Sequence, residues 1–347
     1  MSEPVYPVKV VPGDRVAILS PSAGLPGILP LPFDLGLKRI EEDFDLVPVE
    51  YPTTRRMGST ATDRAADLHA AFSDPTIKAV ISSIGGDDLI TVLPHLNPEV
   101  FRANPKPFFG FSDGSTLLTF LDELGIVGYH GGAVMTAFGR AGSMDPLTEE
   151  SLRAALFTTG EYRLRPADSY TDIERDWADP ATFDAEPDTM PGQGWQWLGP
   201  QTSVTGRGWG GCLEVLAFLL MADRCIPSTA DFAGRVVFLE TSEMLPPASE
   251  VYYVLRSMGE RGILAQCGAI LMGRPKAWSF DQPNDADARA KYVADQAEVV
   301  RRILAEYAPD TPTVLNLDIG HTDPQVVLPY GGQITVDGRD RSITVSY

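Results

Sequence analysis

The chain has 347 residues, more than one hydrophobic core usually serves, so two packed domains are expected. Its 44% apolar and 22% charged residues are globular composition and exclude a disordered chain. With 28 basic against 47 acidic side chains the formal charge is -19, which repels phosphate backbones and argues against nucleic acid as a partner.

The three cysteines, Cys212, Cys225 and Cys267, form no C-x-x-C pair and read as small core thiols of a reducing compartment. Met1 to Pro12 has no basic-then-apolar signal pattern, and no apolar run reaches membrane-spanning length. A soluble, cytoplasmic protein without a membrane partner is the expectation.

In chain order, Val16–Leu19 is an apolar run that ends in Ser20-Pro21-Ser22-Ala23-Gly24, a strand followed by a loop. Lys38–Phe44 reads as helix and leads into Leu46–Val49; Thr62–Phe72 places Ala65, Leu68, Ala71 and Phe72 at helical spacing. Ala79–Ile84 runs into Gly85-Gly86, and Pro107–Phe111 into Ser112, each a strand closed by a small-residue turn. Strands alternating with helices predict a doubly wound, mostly parallel sheet over residues 1–162, with functional groups gathered where strands end. Residues 163–206 have little periodicity but carry Trp177, Trp195 and Trp197, which predicts an ordered inter-domain connection lining a cleft. Residues 207–347 predict a mixed α/β domain: helices at Cys212–Ala222, Ser249–Met258 and Tyr292–Tyr307, and strands at Val236–Leu239, Ala269–Met272 and Val314–Leu317. A terminal hairpin turns through Asp337-Gly338.

Gly110-Phe111-Ser112-Asp113-Gly114 matches G-x-S-x-G between an apolar strand and a helix-like run, Ser115–Leu124. A serine on such a tight turn projects its hydroxyl, and the Asp113 N–H, at a helix start, can meet a developing oxyanion. Gly85-Gly86 either supplies a second backbone donor or is a plain turn with Asp87 or Asp88 as N-cap. A metal reading of Asp87-Asp88 is weaker, because no histidine or cysteine lies at ligand spacing. Of the four histidines, His69 reads as solvated on a polar helix face, His95 as a loop or helix-start residue and His130 as a reserve base. His321 follows Gly320 just past a strand end and is the best placed base. Glu240 closes the strand Val236–Leu239 and suits the acid that fixes an imidazole, unless it turns to solvent. The order Ser, Glu, His also occurs in α/β-hydrolases, which keep all three on one sheet.

Gly13-Asp14 with Val16–Gly24, Ser83-Ile84-Gly85-Gly86-Asp87-Asp88, Gly110–Asp113, Leu239-Glu240-Thr241-Ser242-Glu243 and Gly320-His321 together resemble the LD-carboxypeptidase family of serine peptidases. Asp176-Trp177 and Gly194-Trp195-Gln196-Trp197-Leu198 resemble its microcin C self-immunity branch more than the murein tetrapeptide carboxypeptidases. The resemblance implies a Ser112–His321–Glu240 triad, an oxyanion hole from the Gly86 and Asp113 amides, and a homodimer. It implies a C-terminal domain of swivelling type and an active site between the two domains, with no metal and no organic cofactor. The substrate it implies is a small molecule or short peptide, an aminoacyl or peptidyl group joined by an amide to a nucleotide-like moiety, with Trp177 stacking on the base. Two positions depart from the family pattern and plausibly touch the substrate's polar part: Cys212 follows Gly210-Gly211 where relatives often carry Asn, and Met244 follows the Glu-Thr-Ser-Glu block where many carry a nearby Lys. A murein LD-carboxypeptidase and a non-catalytic protein that sequesters an aminoacyl-nucleotide are the rival expectations.

Overall fold

The computed structural model describes residues 3–347. Among them, two main sheets are each flanked by helices. The first has six strands in the order Leu328–Tyr330, Gly128–His130, Phe108–Gly110, Ile77–Ser82, Arg15–Leu19 and Val47–Glu50. All neighbours run parallel except Leu328–Tyr330, which pairs antiparallel with Gly128–His130. Parallel pairing needs both faces covered, and the sequence supplies that: Val16 to Leu19 and Ala79 to Ile81 are all buried, without the alternation of a one-sided strand.

The second sheet has eight strands, and its parallel centre is Ser203–Cys212, Val236–Glu240, Ala269–Gly273 and Thr313–Leu317. Antiparallel strands flank that centre. Gln333–Asp337, Ser342–Ser346 and Glu161–Leu164 lie on one side, and Gln196–Leu198 lies on the other. The two sheets therefore exchange chain: Glu161–Leu164 comes from the first half of the sequence, and Leu328–Tyr330 from the second.

Two local expectations shift for identifiable reasons. The first helix begins at Pro30, not Lys38, and ends at Glu42, because proline at the first helical positions costs no backbone donor. The last long helix begins at Ala286, six residues before Tyr292, where the Asp285 carboxylate caps it by accepting from the Ala288 N–H. The tryptophan-bearing connection is ordered by a two-stranded pairing of Ser169–Tyr170 with Met190–Pro191, and by Gln196–Leu198 on the sheet edge. Among the described residues no helix is long and apolar enough to cross a membrane.

Candidate active site

The Ser112 turn is built from three strand ends of the first sheet. After Phe108–Gly110 the backbone extends through Phe111 and reverses at Ser112, whose φ of +56° is in the left-handed region. A non-glycine residue held there is strained, and the strain carries the serine side chain forward into a half-buried position. A helix, Ser115–Glu123, starts one turn later. Gly85, after the strand Ile77–Ser82, backs the serine so closely that a Cβ there would lie 2.9 Å from Ser112 Oγ. The buried Asp113 carboxylate ties the loops together. It accepts from Ser22 Oγ at 2.6 Å, the Leu89 N–H at 2.8 Å and Thr116 Oγ1 at 3.3 Å. Burial pushes its pKa above the ordinary carboxylate value despite these donors.

The second sheet carries Glu240 and leads into His321. Glu240 ends Val236–Glu240 fully buried, and its Oε2 lies 2.7 Å from His321 Nδ1. Two glycines make room for it: a Cβ at Gly273 would lie 2.7 Å from Glu240 Cβ, and one at Gly320 would collide with the carboxylate itself. Gly320 also has φ of +84°, so both space and backbone require glycine before the histidine. The turn is pinned by Asp318, fully buried, which accepts from Arg274 Nη1 at 2.8 Å, Trp195 Nε1 at 2.9 Å and the Ala167 N–H at 3.0 Å. The Phe111 ring meets the His321 imidazole edge-on at 5.0 Å, so the residue before the serine helps to set the plane of the base.

Ser112 and His321 line one cavity of about 600 Å³, together with Gly86, Trp177, Lys276 and Glu243. Burial lowers the His321 pKa, but Glu240 and Glu243 outweigh it and raise the value from 6.5 to about 9. Glu240 comes from the second sheet, Glu243 from the turn after it and Glu214 from the helix Leu213–Ala222, while His130 faces His321 from the first sheet. Because the folded value lies above 6.5, the imidazolium's contribution to stability is complete below pH 6.5 and is lost as pH rises through about 9. A base must be neutral, so kcat/KM is expected to rise with pH along an alkaline limb, with an apparent pKa well above 7. Glu243→Gln is expected to move that limb toward neutrality; a profile flat from pH 6 to 9 in the wild type would rule out His321 as the titrating base.

The other candidates separate clearly. Trp177 is half-buried in the cavity wall, whereas Trp195 is committed to Asp318 and Trp197 to the sheet edge opposite Val314. Cys212 does not line the cavity. It is buried, with its thiol directed to Glu214 Oε2 at 3.4 Å, and burial raises its pKa well above the ordinary value. His130 is fully buried and held neutral, its pKa lowered to about 3 chiefly by burial. His69 is only half exposed and accepts from the Asn97 N–H, while His95 is exposed. Asp88 binds Arg64 in a bidentate pair at 2.7 and 2.9 Å and opens only a short 3-10 turn, Leu89–Thr91.

Sequence reasoning did not single out Glu243 as an individual residue or Lys276 at all. Glu243 Oε2 lies 3.2 Å from His321 Nε2, and Lys276, 9% exposed, faces Glu174 across 3.8 Å. No local pattern marks Lys276. The Glu-Thr-Ser-Glu block was the signal within reach for Glu243, since the turn after a strand-end acid brings a second acid beside the same histidine.

Residues 16–131 match the LD-carboxypeptidase N-terminal domain, and residues 205–336 match the LD-carboxypeptidase C-terminal domain. The microcin C7 self-immunity protein MccF of Escherichia coli is 24% identical over 351 residues, 99% of this chain and 96% of that protein. The murein tetrapeptide carboxypeptidase of Pseudomonas aeruginosa is 28% identical over 342 residues, 93% of each chain. Among solved structures, the MccF-like protein from Streptococcus pneumoniae in complex with AMP superposes with a TM-score of 0.84. It is 26% identical, and the match covers 96% of this chain and 99% of that one.

Proposed function

We propose a reaction on the premise that the chain belongs to the LD-carboxypeptidase family, whose two domains it carries in order. It is a peptidase by that membership, and the reading proposed is a serine-type carboxypeptidase that cleaves a C-terminal amide without metal or organic cofactor. The observation that carries it is the His321–Glu240 contact at 2.7 Å, opening on the same cavity as the strained Ser112. Ser112 Oγ attacks the scissile carbonyl as its proton passes to His321 Nε2, with the imidazolium held by Glu240. The Gly86 and Asp113 amides receive the oxyanion. His321 Nε2 then gives the proton to the leaving amine nitrogen; the same imidazole nitrogen next deprotonates a water that attacks the acyl carbonyl, and returns that proton to Ser112 Oγ as the acyl bond breaks. A protein that only sequesters its ligand has no use for this charge arrangement.

For the substrate we favour an aminoacyl or peptidyl group joined to an adenylate-like moiety. The support is Trp177 in the cavity wall, together with the AMP named for the Streptococcus pneumoniae relative. The alternative is a murein tetrapeptide, which offers no flat ring. Incubating the purified protein with an aminoacyl sulfamoyl-adenosine and with a murein tetrapeptide distinguishes them. Exclusive release of the terminal residue from the tetrapeptide overturns the nucleotide reading.

Trp177→Ala sharpens the test. Base–aromatic stacking is worth roughly 1–3 kcal/mol, or about a five- to 150-fold change in affinity. KM for the adenosine-bearing amide is expected to rise within that range, with a smaller change in kcat. Equal losses on adenosine-bearing and non-aromatic amides would reduce Trp177 to packing.

A further inference from the structure

The proposed reaction needs His321 Nε2 free to take the serine proton, yet Glu243 Oε2 stands 3.2 Å from that nitrogen. The carboxylate must therefore lie elsewhere during turnover. The backbone cannot carry it far, because the turn is fastened on both sides. The Ser242 N–H and Oγ bond Glu214 Oε1 at 2.9 and 2.6 Å, and the Pro246 carbonyl accepts from Gln296 Nε2 at 2.7 Å and Tyr292 Oη at 2.9 Å. The movement left is a rotation of the Glu243 side chain, which is 50% exposed and free to make it.

The cationic side chains of the cavity are engaged or held back. Arg140 is bound to Asp323 at 2.6 Å and Glu186 at 2.7 Å. Arg175 donates to the Thr182 and Glu186 carbonyls, and Lys276 sits 3.8 Å from Glu174 and within the field of Glu243. A further cation is one the substrate brings. A reacting carbonyl carbon lies about 3–3.5 Å from the attacking oxygen. An α-amino nitrogen sits about 2.5 Å from that carbon through two covalent bonds. Such a nitrogen is within a side-chain rotation of a carboxylate that now touches His321.

We propose that Glu243 is the receptor for a free ammonium group on the acyl part of the substrate, exchanging His321 Nε2 for that ammonium as the ligand enters. The inference rests on the reaction proposed above and narrows its substrate class to aminoacyl derivatives with an unblocked α-amine. Acylated amines, including the interior residues of a murein peptide, would leave the carboxylate on the histidine. The raised pKa of His321 agrees with a free state in which both ring nitrogens face carboxylates.

Binding separates this inference from turnover. Affinities of an aminoacyl sulfamoyl-adenosine and its N-acetyl counterpart are measured by calorimetry on Ser112→Ala and on Ser112→Ala/Glu243→Gln. A charge-assisted hydrogen bond supports a preference of about tenfold or more for the free amine in the first protein. The preference is expected to shrink below about threefold in the second, while the N-acetyl ligand, still bound, shows that the variant is folded. Equal binding of the two ligands by Ser112→Ala, or a preference that survives Glu243→Gln, overturns the inference and leaves the reaction standing. Binding of neither ligand overturns the substrate reading and the inference with it.

Discussion

Ser112→Ala is expected to lower kcat by about 10⁴- to 10⁶-fold while leaving the protein folded and able to bind its substrate. The size follows from removing the only atom that forms the acyl bond, so that water must attack with the rest of the machinery in place. Structure predicts little collateral damage. Alanine keeps the Cβ, so it meets the left-handed φ of +56° no worse than serine does, and the Asp113 ties to Ser22 and Leu89 are untouched. The measurement is single-turnover kinetics beside a thermal melt. Residual activity above about a tenth of wild type, with an unchanged melt, would remove Ser112 from the chemistry.

Glu240→Gln is expected to cost about 10³- to 10⁴-fold in kcat, the size associated with an imidazole held in the wrong tautomer. The amide has nearly the carboxylate's volume, which matters here because Gly273 and Gly320 leave no slack around the side chain. Loss of the charge also removes the largest upward push on the His321 pKa, so the residual activity is expected to titrate at lower pH than wild type. A merely structural Glu240 would lower the melting temperature without moving that pH limb, and such a result would sink its role as the orienting acid.

The parts of this molecule written locally were readable from the sequence. The apolar runs at Val16–Leu19 and Ala79–Ile81 mark the parallel sheet because burial on both faces needs uninterrupted apolar residues. Gly110–Gly114 gave the serine turn, since small neighbours are a steric condition of that turn. What escaped depends on distant pairing. Leu328-Pro329-Tyr330 reads poorly as a strand because of its proline, yet as an edge strand it pairs with Tyr129 from two hundred residues earlier. The tryptophans Trp177, Trp195 and Trp197 look alike in sequence, and only the tertiary positions of Asp318 and Val314 assign two of them to structure. Cys212 holds a motif position that suggests substrate contact, while its thiol is directed to Glu214 and does not line the cavity. Glu243 shows the same limit, because its contact with His321 spans seventy-eight residues and leaves no spacing to detect.

The chain that carries His321 leaves the second sheet at Leu317, lends Leu328–Tyr330 to the first, and returns to the second at Gln333. His321 and Ser112 are thereby sewn together by covalent threading rather than by surface attraction between two lobes. A clam-shell opening would have to peel an edge strand off the sheet that holds Ser112, so the usual hinge of a two-lobed enzyme is forfeited. The spacing between Ser112 and His321 is thus fixed when the protein folds, not when its ligand arrives.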